Sequence, residues 1–130
     1  MAKSSKTSYI KAVNNLQGVI ASSDSAGAKI DVWTAGADDA VLKSFWLTST
    51  DTAAKVVQVF VNVGGSGTDR LIGTLTVPIG AGSNGTTAAV DVLRSALISG
   101  LSYDALGNKV LHLEAGSVVK ISPVAALSSG

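Results

Sequence analysis

The sequence predicts an all-β protein, an antiparallel β-sandwich of about seven or eight short strands with one short helix near 88–99. Three observations lead there. Residues 55–63 form a β-branched run in which Val57, Val59, Val61 and Val63 share one face of an extended chain. Clusters of Gly, Ser, Asn and Asp interrupt the apolar runs at short intervals, at 23–27, 64–69, 80–85 and 104–108 among others. Helical spacing of apolar residues occurs in one segment alone.

Residues 1–8 are polar and without periodicity. They are expected to form a flexible or partner-docked N-terminal arm, ahead of a single β-sandwich domain at 9–123 and a C-terminal tail at 124–130. The apolar run 16–21 reads as a first strand. In 29–34, alternation places Ile30 and Val32 on one face, and 35–39 is a turn. The run 40–50 is the expected hairpin partner, with Val41, Phe45 and Leu47 on one side and Leu42, Ser44, Trp46 and Thr48 on the other.

The run 55–63 should pair as a hairpin with 71–77, whose Leu71, Leu75 and Val77 point inward before Pro78 ends the ladder. A glycine-rich crossing at 80–85 leads to the helix. There Thr87 is the N-cap, Val90, Leu93, Leu97 and Leu101 recur at spacings of three or four, and Gly100 marks the exit. Residues 104–108 form a turn, and 110–114 and 117–121 read as a last hairpin around Ala115-Gly116.

Composition narrows the function. The 130 residues carry ten basic and nine acidic groups, a formal charge of +1 with no basic stripe, so direct nucleic-acid binding is not expected. Cysteine is absent, which removes disulfides, thiolate metal sites and a cysteine nucleophile. No unbroken apolar stretch of about 18 residues appears, and Lys11, Asn14, Asn15 and Gln17 interrupt the segment after the first lysines, so neither a membrane helix nor a signal peptide is expected. The low charge points to apolar surface covered by partners.

The residues that carry chemistry do not assemble into a familiar motif. His112, the single histidine, shares a strand face with Glu114, a pair that offers two metal ligands where a catalytic metal takes about three. Asp38 and Asp39, with Asp31 and Asp51, lack the ordered spacing of a calcium loop and suit a hairpin turn. Gly64-Gly65-Ser66-Gly67 leads into no phosphate-binding helix, and no G-x-S-x-G elbow is present. No enzyme, cofactor or metal is therefore expected. The aromatic residues read as core or interface anchors, and Trp46, opposite Phe45 and Leu47, marks a contact patch. The candidate protein-contact residues are Tyr9, Trp33, Trp46 and Leu127, the last in a tail that docks on a neighbouring subunit.

Segments at 32–37, 48–54, 64–65, 71–74 and 77–87, continued by 104–108 and 111–116, come in an order that resembles small structural proteins of tailed bacteriophages. The likeness covers roughly 30–122 and implies a virion protein assembled in the host cytoplasm, with a jelly-roll or similar sandwich that decorates or cements the capsid. It implies no catalytic residues. Its partners would be the major capsid protein or other virion proteins, with homo-oligomers, trimers among them, multiplying weak contacts. A tail, neck or host-binding component, a small major coat protein and a carbohydrate-binding sandwich remain as alternatives.

Overall fold

A computed structural model of the chain describes residues 18–21, 23–65 and 67–127. Among the described residues there are nine strands: β1 Ile30–Thr34, β2 Ala40–Leu42, β3 Trp46–Leu47, β4 Lys55–Asn62, β5 Arg70–Val77, β6 Val90–Asp91, β7 Ser102–Tyr103, β8 Lys109–Leu113 and β9 Val118–Pro123. They make a four-stranded sheet in the order β1-β9-β4-β5, a three-stranded sheet β2-β8-β7 and a two-stranded ribbon β3-β6. Every pairing is antiparallel. The expected all-β, sandwich-like class is therefore what the chain adopts.

One core joins these layers. Val57, Val59 and Val61 of β4, Leu75 and Val77 of β5, and Val119 and Ile121 of β9 project from the large sheet. Leu47, Leu111 and Leu113 of the smaller sheets and Phe45, in the break just before β3, pack against them. The β-branched run at the centre of the large sheet is thus buried by period-two alternation, and Val59 and Val119 are fully enclosed. The hairpin of β4 and β5 forms as expected, but Val63 leaves the strand for a single 3-10 turn, Val63–Gly65, and is exposed.

Leu71 departs from its expected inward position. The pairing passes from Val59 with Gly73 to Phe60 with Leu71, so Ile72 is an extra residue on β5. That bulge reverses the parity: Ile72 packs on the core and Leu71 is exposed. A second bulge acts on β1, where the register passes from Asp31 with Lys120 to Trp33 with Val119. Trp33 consequently lies on the same side as Ile30 and packs on the core.

Two expected hairpins are replaced by crossings between sheets. β1 pairs with β9 and β2 with β8, so 35–39 carries the chain from one layer to the other. Likewise β8 and β9 lie in different sheets, and 114–117 carries the chain back. The two crossings hold each other: the Ala35 N–H donates to the Ser117 carbonyl at 2.7 Å, and the Gly116 N–H donates to the Ala35 and Gly36 carbonyls. Burial explains the preference. Leu111 and Leu113 must face Val119 and Ile121 across the core, which a hairpin in one sheet would prevent. Val41, expected beside Phe45 and Leu47, is instead exposed and pairs with His112, because the break at 43–45 separates β2 from β3.

The helix expected near 88–99 does not form. Val90 and Asp91 pair with β3, and the chain then folds through turns in which Ser95 N–H reaches the Val92 carbonyl and Ile98 N–H the Ser95 carbonyl. The buried residues are Val92, Leu93 and Ile98, whereas Leu97, a member of the helical stripe, is exposed. Strand pairing of Val90 and burial of Val92 and Ile98 outweigh a helix propensity already lowered by β-branched residues and serine. Thr87, expected as the helix cap, instead belongs to a loop ordered by Asn84, whose Oδ1 accepts from the Thr86 and Thr87 N–H groups. The strand expected at 16–21 is not present over the described residues 18–21, although Ile20 packs on the core. The arm at 1–8 lies outside the described residues. The tail begins by continuing β9, with the Val124 N–H on the Val56 carbonyl and the Lys55 ammonium on the Ala126 carbonyl.

Candidate contact surface

The ribbon of β3 and β6 has a core face and a solvent face. Leu47 pairs with Val90 toward the core, and the alternation of a strand therefore sends Trp46 and its cross-strand partner Asp91 outward together. Trp46 is 54% exposed. Arg94 lies beside this pair, with its Nε 3.4 Å from an Asp91 carboxylate oxygen. An indole, a carboxylate and a guanidinium thus form one outward patch whose charges balance. Trp and Arg are the side chains most often found at the energetic centre of protein interfaces, because each buries a large area at a small number of rotatable bonds or planar hydrogen bonds.

A second exposed group has no signature in the periodicity. β7 and β8 form a hairpin closed by Asp104, whose N–H donates to the Asn108 carbonyl and whose Oδ1 accepts from the Leu106 and Asn108 N–H groups. The Asn108 and Leu106 N–H bonds hold the Asp104 carboxyl below its ordinary range, with Lys43 adding to the effect and desolvation opposing it. This rigid turn presents Leu106 at 87% exposure and Tyr103 at 69%. A leucine at the tip of a tight polar turn is the sequence signal that could have found it.

The third feature is a cleft of about 520 Å³ at the end of the sandwich where the two crossings meet. Val41, Val61, Val63 and Leu113 supply apolar walls, and Asp39, His112 and Glu114 supply polar groups. Asp39 also ties the crossings, accepting from the Ala115 N–H at 3.2 Å. The structure therefore brings His112 and Glu114 together with Asp39, but no group of three or more His, Asp or Glu side chains suited to a metal ion gathers among the described residues.

The other acids hold the fold. Asp51 is buried and accepts from the Ala53 N–H at a turn. Asp31 faces outward 3.9 Å from Lys120. Asp69, before β5, lies 3.0 Å from Lys29 and 3.3 Å from Lys120 and accepts from the Asn62 side-chain amide. The bonds from Lys29 and Asn62, with Lys120, bring its carboxyl down to about 2 against the opposing effect of desolvation. The Lys29 ammonium also sits over the Phe60 ring, 4.6 Å from its centroid.

Of the four sequence-predicted contact residues, Trp46 is outward, Trp33 is half-buried against the core, and Leu127 is half-buried at the end of the described chain. Tyr9 lies outside the described residues. Trp33 and Trp46 therefore have different surroundings and do not form a single aromatic platform. Comparison with protein-family models, curated proteins and solved structures returned no match.

Proposed function

We propose that this chain is a non-enzymatic virion structural protein, a capsid decoration or cement protein that binds and stabilises the head shell of a tailed phage as a homo-oligomer. The observation that carries the reading is Trp46, exposed on a ribbon whose opposite face is anchored in the core. Such an anchor is prepaid in conformational entropy, since the ribbon is already fixed, and is available to fill a socket on a partner. Tyr103 and Leu106 give further apolar area on a second rigid turn. Consecutive strands that alternate between sheets, β1 and β2 at one crossing and β8 and β9 at the other, favour the jelly-roll-like form of this reading.

Quantitative mass spectrometry of purified particles, before and after mild stripping of loosely held shell proteins, tests it. A shell protein repeats with the lattice, so the expected result is on the order of hundreds of copies per particle, with heat-sensitive heads after stripping. A count of about a dozen or fewer would assign the chain to the tail or neck, where symmetry allows few copies, and absence from particles would end the virion reading.

A further inference from the structure

Charge is divided unevenly along this chain. Residues 1–17 contain Lys3, Lys6 and Lys11 and no acid, whereas the remainder has seven basic and nine acidic groups, a formal −2. The end cleft has the complementary character. Its volume, about 520 Å³, falls within the common range for ligand sites, its walls are valine and leucine, and Asp39 and Glu114 bring carboxylates to it. An open cleft with apolar walls and two carboxylates among its lining suits a lysine side chain, whose methylene stem packs on the walls while its ammonium meets the carboxylates.

The place where the described chain begins supplies the tether. Gly18 lies against β1, and a Cβ built on it would be 3.3 Å from both the Asp31 carbonyl and Val32 Cα. From Val32 the chain continues through β1 to Thr34 and then to Asp39 in the cleft. Twelve residues separate Lys6 from Gly18, a reach of up to about 40 Å, while the seven residues from Val32 to Asp39 span at most about 25 Å. A short tether gives an effective concentration in the mM range, so the lysine stem must add apolar contact to the ion pair for the site to fill.

We infer that the cleft is a docking site for the chain's own N-terminal segment, entered by Lys3 or Lys6 within the same molecule. The tether favours this occupant over a second copy, which would have to reach the same effective concentration by association alone. The inference stands apart from the virion reading, because it concerns the free protein and needs no shell.

Two measurements on the full chain test it. In amide NMR, the double substitution Lys3→Glu with Lys6→Glu should shift the signals of Asp39, Val41, His112 and Glu114, while those of Asn84 and Gly85 in a distant loop stay in place. No change at the cleft overturns the inference. Carbodiimide coupling of an equal mixture of isotope-labelled and unlabelled protein should join Lys3 or Lys6 to Asp39 or Glu114 within single chains. The yield should fall at least about threefold between roughly 0.05 and 1 M salt, as the Debye length contracts. Mixed-isotope links would replace the intramolecular docking by a second copy. Links spread evenly over Asp24, Asp91 and Asp104 would overturn the site altogether.

Discussion

Gly65 and Gly116 meet back to back where the 3-10 turn after β4 approaches the crossing before β9: a methyl group built on Gly65 would lie 2.5 Å from the Gly116 carbonyl oxygen. Both residues have positive φ, 76° and 78°. The Ser117 hydroxyl accepts from the Gly64 N–H beside them. The contact sets the distance between the large sheet and the crossing, and so the shape of the end cleft that Ser117 helps to line.

Gly65→Ala should therefore destabilise the fold through two effects. An L-residue at this φ costs about 1–2 kcal/mol, and a backbone clash adds at least about 1 kcal/mol more. Gly85→Ala separates them, because Gly85 has φ 78° but nothing within 4 Å of its added methyl. Denaturant titration should place Gly65→Ala lower than Gly85→Ala by at least about 1 kcal/mol. Equal losses would mean that the close approach carries no energetic weight.

The bulge on β5 makes a prediction that plain alternation reverses. Leu71 is exposed and Ile72 packs on the core, so Leu71→Ala should change stability by no more than about 0.5 kcal/mol and Ile72→Ala should cost about 1–3 kcal/mol. Urea midpoints at constant m value would read both.

That reversal also shows where the sequence is informative. Period two assigns Val57, Val59, Leu75 and Val77 to the core correctly, because each lies in the stretch of the β4–β5 hairpin, from Lys55 with Val77 to Val59 with Gly73, that keeps its register before the bulge. It misplaces Leu71, since one extra residue shifts parity, and Gly73, a residue type that often marks a bulge within a strand, is the signal that could have warned of it. In Asp31-Val32-Trp33 no residue type announces the shift that sets Trp33 beside Ile30. The crossings at 35–39 and 114–117 contain the same glycine and acidic residues as hairpin turns, and only the distant pairing of β1 with β9 and β2 with β8 distinguishes them. Trp46 is legible as outward because Phe45 and Leu47 on either side are apolar. The end cleft is not, because Val41, Val61 and Leu113 come from three separate strands.

Trp46 and Trp33 should separate in solution. Trp46→Ala removes an exposed ring and should alter stability by no more than about 0.5 kcal/mol, whereas Trp33→Ala removes one packed on the core and should cost about 2–4 kcal/mol. Acrylamide should quench the fluorescence of the wild type more strongly than that of Trp46→Phe, whose remaining indole is half-buried. If the shell reading holds, Trp46→Ala should also lower capsid binding by at least about tenfold while the fold stays intact, the loss typical of a truncated interface anchor. Full binding by this variant would remove Trp46 from the contact.

Asp69 predicts how acid acts on the fold. Its carboxyl falls from 3.8 to about 2 in the folded chain, chiefly through Lys29 and Asn62 and further through Lys120. A lowered folded pKa means that the unfolded chain binds protons first as pH falls. The stabilisation is complete at neutral pH, begins to fade as pH approaches 3.8, and is gone once pH passes below about 2. Replacement Asp69→Asn keeps a polar side chain but loses the charge, so its stability should vary less than wild type over that interval. Thermal melts from neutral pH down to about pH 2 should show the two curves converging as acid is added. Parallel curves would show that Lys29 and Lys120 hold the β1, β9 and β5 strands without help from the Asp69 charge.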